Sequence, residues 1–416
     1  MSSAPRPLAS LSRRGFLSAT GAAFFSRARL SQDNEHRDLV PRIGFLIQQF
    51  ERQGDHRTAT AVDRASADWL RHEVERAGLA ATLEPFSLSR VDPIAVSVSS
   101  GDRTIAGVPL FDAAFTDAAG IDGRLAALGT DREIGLVASA PNQAAAGALG
   151  AARRANRHQA IVCVTKGLRP GLCPSNADFF LKPFGPPVVQ VPDVDEPWLA
   201  DLARRGAALR VIAHVARTPA TAVNVTTKIA GQDSSLPPLV VMTPRSGWYS
   251  CASERGGGIV CWLELMRTLK TSRPVRDIVF VASSGHELGH LGINAFVDAR
   301  PGIIKASAAW MHLGANIGAA VEPGNTVQSS DDRSEAILVK AMSEADLPVD
   351  RRVPRGTVPG GEAEVIHRGG GRYVSIIGRS ALFHNPDDRG AGAVDPDVIA
   401  RFIDALTNVA RAFARA

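Results

Sequence analysis

The spacing of apolar positions along the chain changes rhythm more than once. Residues 42–77 repeat apolar side chains three and four apart, which predicts helix. Residues 82–86 and 95–99 alternate apolar and polar positions, as half-buried strands do. From about 98 to 217 the runs are short. Residues 135–138, 160–164 and 188–191 predict strands, and the alanine-rich stretch 143–156 predicts a helix. This texture is that of a small separate α/β module. A second phase begins at Ala222-Val-Asn-Val-Thr-Thr-Lys-Ile-Ala-Gly231. Beyond it, strands at 238–242, 278–281, 306–313 and 373–377 alternate with helices at 256–270, 292–299, 331–345 and 397–414. Such alternation predicts an α/β three-layer sandwich, with a mostly parallel mixed sheet between helices.

Charge adds little to this picture and removes one function class. The formal net charge is +5. Arg6, Arg13, Arg14, Arg27 and Arg29 lie in the first 30 residues with no acid among them, so the remainder is neutral. No basic footprint for nucleic acid is present. The leader itself is informative. Ser12-Arg13-Arg14-Gly15-Phe16-Leu17, followed by the apolar run 19–25, resembles a bacterial twin-arginine export signal. Residues 1–30 are therefore expected to be a signal, and the protein to be periplasmic or secreted. No later stretch is apolar over enough residues to span a bilayer. Cys163, Cys173, Cys251 and Cys261 form no Cys-x-x-Cys pair; disulfides and buried thiols both fit them.

The chemistry concentrates at Asp277-Ile-Val-Phe-Val-Ala-Ser-Ser-Gly-His286-Glu287-Leu-Gly-His290-Leu-Gly292. A strand buried on both faces ends in two metal-binding residue types. Open α/β sheets bind ligands beyond the carboxyl ends of their strands, where His286 and Glu287 fall. A metal-dependent hydrolase is the expectation. Taken literally, His286-Glu287-Leu288-Gly289-His290 also matches the zincin pattern, two histidines one helical turn apart with a glutamate base. Gly285, Gly289 and Gly292 oppose a helix there. No further Glu or His follows before His312.

Four segments together resemble the zinc aminopeptidases that include glutamate carboxypeptidase II and the transferrin receptor. They are Thr243-Pro244-Arg245-Ser246-Gly247-Trp248 with Ala252-Ser253-Glu254-Arg255-Gly256-Gly257-Gly258, then His286-Glu287-Leu-Gly-His-Leu-Gly292, Trp310-Met311-His312-Leu313-Gly314, and Phe383-His384-Asn385-Pro386-Asp387-Asp388. The resemblance implies a peptidase-like domain over 40–97 and 222–416, with a protease-associated-like insert at 98–217. It also implies site residues, position by position. The first-zinc histidine falls on Pro244, its orienting Asp on Ser246, and the last first-zinc carboxylate on Gly314, so that site is dismantled. The bridging Asp falls on Glu254, the second-zinc ligands on Glu287 and His384, and the general base on His286. One zinc ion held by Glu254, Glu287 and His384 is implied, with His286 moving the proton and Asp387 beside His384. His290 and His312 are alternative ligands.

Arg245, Trp248 and Arg255 lie where the family builds its substrate pocket. The implied activity is aminopeptidase- or carboxypeptidase-like cleavage of an amide bond in a peptide or amidated small molecule. The alternative is a pseudopeptidase that works by binding, because the transferrin receptor branch keeps the fold without metals. Each retained residue also has an ordinary structural use: Glu254 as a helix cap, His384 as a turn residue, His286 and Glu287 as a hydrogen-bonded pair.

Overall fold

The structure, a computed structural model, describes residues 38–415; the expected export signal lies outside them. Helices α1 (38–51) and α2 (Ala61–Arg76) come first. The 42–77 periodicity thus belongs to two helices, with a break that holds Gly54. Thr60 caps α2, its side chain accepting from Asp63 N–H, which satisfies one of the unpaired donors of the first turn.

Strand β1 (Ala81–Ser100) follows, then β2 (Arg103–Ala106), β3 (Val108–Pro109), β4 (Ile121–Ala127), β5 (Ile134–Ser139), α3 (Gly147–Ala155), β6 (Ala160–Thr165), β7 (Val188–Val191), α4 (Glu196–Arg205) and β8 (Ala208–Ile229). The rest alternates: β9 (Leu239–Pro244), α5 (Gly257–Leu269), β10 (Ile278–Ser283), α6 (Leu291–Asp298), α7 (Ile303–Ala306), β11 (Ala309–Leu313), β12 (Gly324–Ser329), α8 (Asp332–Glu344), β13 (Arg351–Arg352), α9 (Ala363–Arg368), β14 (Tyr373–Arg379) and α10 (Pro396–Arg415).

The centre of the sheet is parallel: β14, β11, β9 and β10 pair in that order. Antiparallel β12 and β8 flank them. Alternate side chains face opposite layers, as the two-residue period of a strand requires. Val241, Phe280, Met311 and Val374 pack with α1, α2, α5, α8 and α10, while Val240, Met242, Val281, Trp310 and Tyr373 pack with α6 and α9. The expected three-layer α/β sandwich is present.

Two strands are much longer than the sequence pattern suggests. β1 and β8 pair antiparallel from Ala81↔Thr227 to Ser99↔Arg210, with one bulge between Pro93 and Ala95. The lower part of β8 pairs β10, and the upper part pairs β4. The module of β4–β7 has a core of its own around Leu125, Val162 and Leu199. Its sheet is nevertheless hydrogen-bonded to the main sheet through β8. The boundaries expected at 97/98 and 217/222 fall inside β1 and β8, not in linkers.

Candidate functional site

The site residues collect beyond the carboxyl ends of β9, β10 and β11. After β10 the chain turns at Gly285, where φ is +82° and a Cβ would lie 2.7 Å from Leu291 Cβ; only glycine fits there. His286–Leu288 is a single tight turn, and Gly289 and His290 both take left-handed backbone. The helical face that the zincin reading needs is therefore absent. The rings of His286 and His290 lie 5.0 Å apart, tilted by 48°.

Glu287 is captured by its neighbours. One carboxylate oxygen accepts from Thr58 N–H at 2.8 Å and Thr58 Oγ1 at 2.6 Å, the other from Ser246 Oγ at 2.6 Å. Ser246 Oγ in turn accepts from Gly285 N–H at 2.8 Å. A carboxylate with both oxygens committed to protein donors is a structural anchor.

Glu254 sits across the crevice in the wide turn Ala252–Gly256 that precedes α5. Asp388 caps this turn, accepting from Ser253 N–H at 2.8 Å and Glu254 N–H at 2.9 Å. It is Asp388 that is buried in this segment, whereas Asp387 is exposed beside Arg389. Asp387, expected beside His384, holds the turn instead, its N–H donating to Asn385 Oδ1 at 2.9 Å. His384 Nδ1 donates to Pro174 O at 2.6 Å, and its Nε2 lies 3.4 Å from Glu254 Oε1.

Arg255 occupies the space between these groups. Its side chain is fully buried, Nε donates to Ser246 O at 2.7 Å, and Nη2 lies 2.7 Å from Glu254 Oε1. Burial alone pushes the Glu254 carboxyl up, but Arg255 and His384 outweigh it and hold the group at about 2. Burial, then Arg255, pushes His286 well below its ordinary range. Burial likewise lowers His290, against the pull of Glu362. Burial takes His312 down to about 4, again against Glu362. His312 is held by Ser375 Oγ at 2.8 Å, and His286 Nδ1 lies 3.6 Å from Glu362 Oε1.

The expected ligand set fits no metal ion. Among the described residues, no group of three His, Cys, Asp or Glu side chains is placed to hold one. Glu254 and His384 are brought together, but Glu287 is spent on Thr58 and Ser246, and Arg255 carries positive charge into the remaining space. His290 and His312 complete no alternative set. The four cysteines are free and buried.

The expected substrate residues are redistributed too. Arg245 has a fully buried side chain that donates to Asp63 O at 2.7 Å and Val223 O at 2.9 Å and pairs with Asp63 Oδ1 at 2.9 Å. It touches no crevice. Trp248 remains at the mouth, against Phe111 at 4.8 Å. There a space of about 10 Å³, lined by Arg57, Phe111, Phe180, Trp248 and Glu287, is left; that is room for about one water. Residues 167–185, between β6 and β7, roof the crevice. Besides Pro174 O on His384, Leu172 O accepts from Tyr249 Oη at 2.7 Å, Asn176 Oδ1 accepts from Trp248 Nε1 at 3.1 Å, and Ala177 N–H donates to Glu287 O at 2.8 Å. Sequence reasoning missed Thr58, Asp63, Glu362 and this roof. None lies near the motifs in the chain, and no spacing signal connects them.

No family model and no curated protein matches the chain. Solved structures do. A zinc aminopeptidase from Bacillus subtilis is 17% identical with a TM-score of 0.74, covering 91% of this chain and 95% of that one. An aminopeptidase from Aneurinibacillus sp. strain AM-1 is 14% identical with a TM-score of 0.68, covering 90% and 94%. A peptidase M28 precursor from Shewanella amazonensis is 14% identical with a TM-score of 0.69, covering 92% and 98%. At these identities the shared property is the fold, and this chain has the fold of the zinc aminopeptidases.

Proposed function

We propose that this protein binds peptides or related amides on a zinc-aminopeptidase fold without metal-assisted hydrolysis. The observation that carries the reading is the state of the crevice. Arg255 is buried against Glu254, and Glu287 is saturated by Thr58 and Ser246. A metal-bound water needs three ligands and an open position, and this chain's residues offer neither. The peptide class comes from the peptidases that share the fold. Purified protein is expected to contain less than about 0.1 zinc per chain and to leave aminoacyl and peptidyl amides intact with added zinc. One tightly held zinc per chain together with turnover would reject this reading.

A second reading, amide hydrolysis by a rearranged site, is favoured by one observation. Glu254 and His384 stay within 3.4 Å of each other, with His286 near enough for Glu254 to act on its protonation. Turnover that persists in chelator and disappears in His286→Ala would support it over the binding reading.

Export is part of the proposal. Among the described residues no helix is long and apolar enough to cross a membrane. Changing Arg13 and Arg14 to lysine is expected to leave the protein in the cytoplasm of the producing cell. Unchanged export would remove the twin-arginine assignment.

A further inference from the structure

We infer that Arg255 is a resident cation, its guanidinium standing in the crevice for the charge of a metal ion and barring one from the site. The inference rests on the metal-free reading above and deepens it.

The position is built, not incidental. Arg255 follows Glu254 in the wide turn that Asp388 caps, so backbone and carboxylate arrive together. Ser246 O fixes Nε at 2.7 Å, and Glu254 Oε1 meets Nη2 at 2.7 Å. Nη1 and Nη2 are both buried and neither makes a hydrogen bond, so the contact of Nη2 with Glu254 is an ion pair. A guanidinium is planar and always charged, so it supplies fixed positive charge that cannot be lost to chelation or to pH. A buried carboxylate such as Glu254 needs such a partner. The same charge reaches the imidazoles of His286, His290 and His312. A divalent ion entering beside Glu254 would meet it at close range, with little water to screen the repulsion.

Removing the guanidinium should therefore open a latent cation site. Arg255→Ala leaves Glu254 Oε1 and His384 Nε2, already 3.4 Å apart, without the guanidinium that lies against Glu254. A carboxylate oxygen and an imidazole nitrogen at that separation can share one zinc ion, with water filling its other positions. The test uses the mature chain, dialysed and titrated with zinc chloride, read by metal stoichiometry and melting temperature. Wild type is expected to bind less than about 0.1 equivalent, and Arg255→Ala about one equivalent with a rise of roughly 3–5 °C. The rise should vanish in Glu254→Gln/Arg255→Ala. A folded Arg255→Ala that ignores zinc, or responds equally after Glu254→Gln, overturns the inference and leaves the binding reading standing. Stoichiometric zinc in wild type overturns both.

Should Arg255→Ala fail to fold, Arg255→Met is compared with Glu254→Gln/Arg255→Met. The neutral pair is expected to melt several degrees higher than the single variant, because it no longer buries an unpaired carboxylate. A double variant no more stable than the single one overturns the assignment.

Discussion

Arg245→Met is expected to cost about 3–5 kcal/mol of stability, the range for breaking one side of a buried ion pair. Arg245 joins Asp63 of α2 to the main-chain carbonyl of Val223 in β8, from its own place just after β9. Asp63 also accepts from Ala59 N–H at 2.8 Å and Ser284 Oγ at 2.9 Å. Removing the guanidinium therefore leaves a buried carboxylate with neutral donors only, and two carbonyls without their charged donor. Urea denaturation of wild type and variant measures the difference. Asp63→Asn combined with Arg245→Met should recover part of it, since the stranded charge is gone. A loss under about 1 kcal/mol in the single variant would mean that the pair contributes no more than a surface bridge does.

Stability is also expected to fall by on the order of 5 kcal/mol between pH 6.5 and 4. The sign follows from three buried imidazoles. Burial, then Arg245, takes His56 down to about 3, burial takes His312 to about 4, and His286 lies well below its ordinary range. In the unfolded chain these groups take up protons near pH 6.5. The unfolded state then holds more protons than the native state, so stability is full above that pH and is lost as pH falls. Glu254, held at about 2, extends the loss from pH 4.5 downward. Asp388 works the other way. Burial raises it to about 6, so the native state gains a proton first and offsets about one histidine. Urea midpoints at pH 7.5, 5.5 and 4.5 give the curve, and His312→Asn should flatten it by about one group. A midpoint that stays constant from pH 7.5 to 5 would contradict this assignment of neutral histidines.

The parallel centre of the sheet was legible because its strands are buried on both faces and read as unbroken apolar runs. The position of His286 and Glu287 past the end of β10 was legible for the same reason. The strand pair β1 and β8 was not. Pro85 and Pro93 interrupt the pattern of β1, and the stretch reads as two strands. Before Ser97, where β2 joins it, β1 has no strand on its second side, so a missing N–H there costs nothing, and a bulge beside Pro93 absorbs the mismatch. The site was legible as a list of residue types and illegible as an arrangement. Glu287 is taken by Thr58, 229 positions away, and Arg245 by Asp63, 182 positions away. Nothing in the spacing of a motif reports a partner so distant. Arg255 was expected to contact substrate because it lies where the resembled family builds its pocket, and position along the chain does not report burial. Its burial against Glu254 depends on the turn that Asp388 closes from the far end of the chain.

The long pairing of β1 with β8 sets a timetable for the nascent chain. Ala81 waits for Thr227, and Ser99 for Arg210. At about 5–20 residues per second of synthesis, the first strand of the sheet spends on the order of ten seconds or more outside the ribosome before its partner emerges. Over that interval its unpaired backbone is a template for neighbouring chains. Its two prolines and the charged Glu84, Arg90 and Asp92 are the residues that make a foreign strand a poor match. Expression of truncations ending before residue 208 should accordingly tax chaperones more than expression of the whole chain.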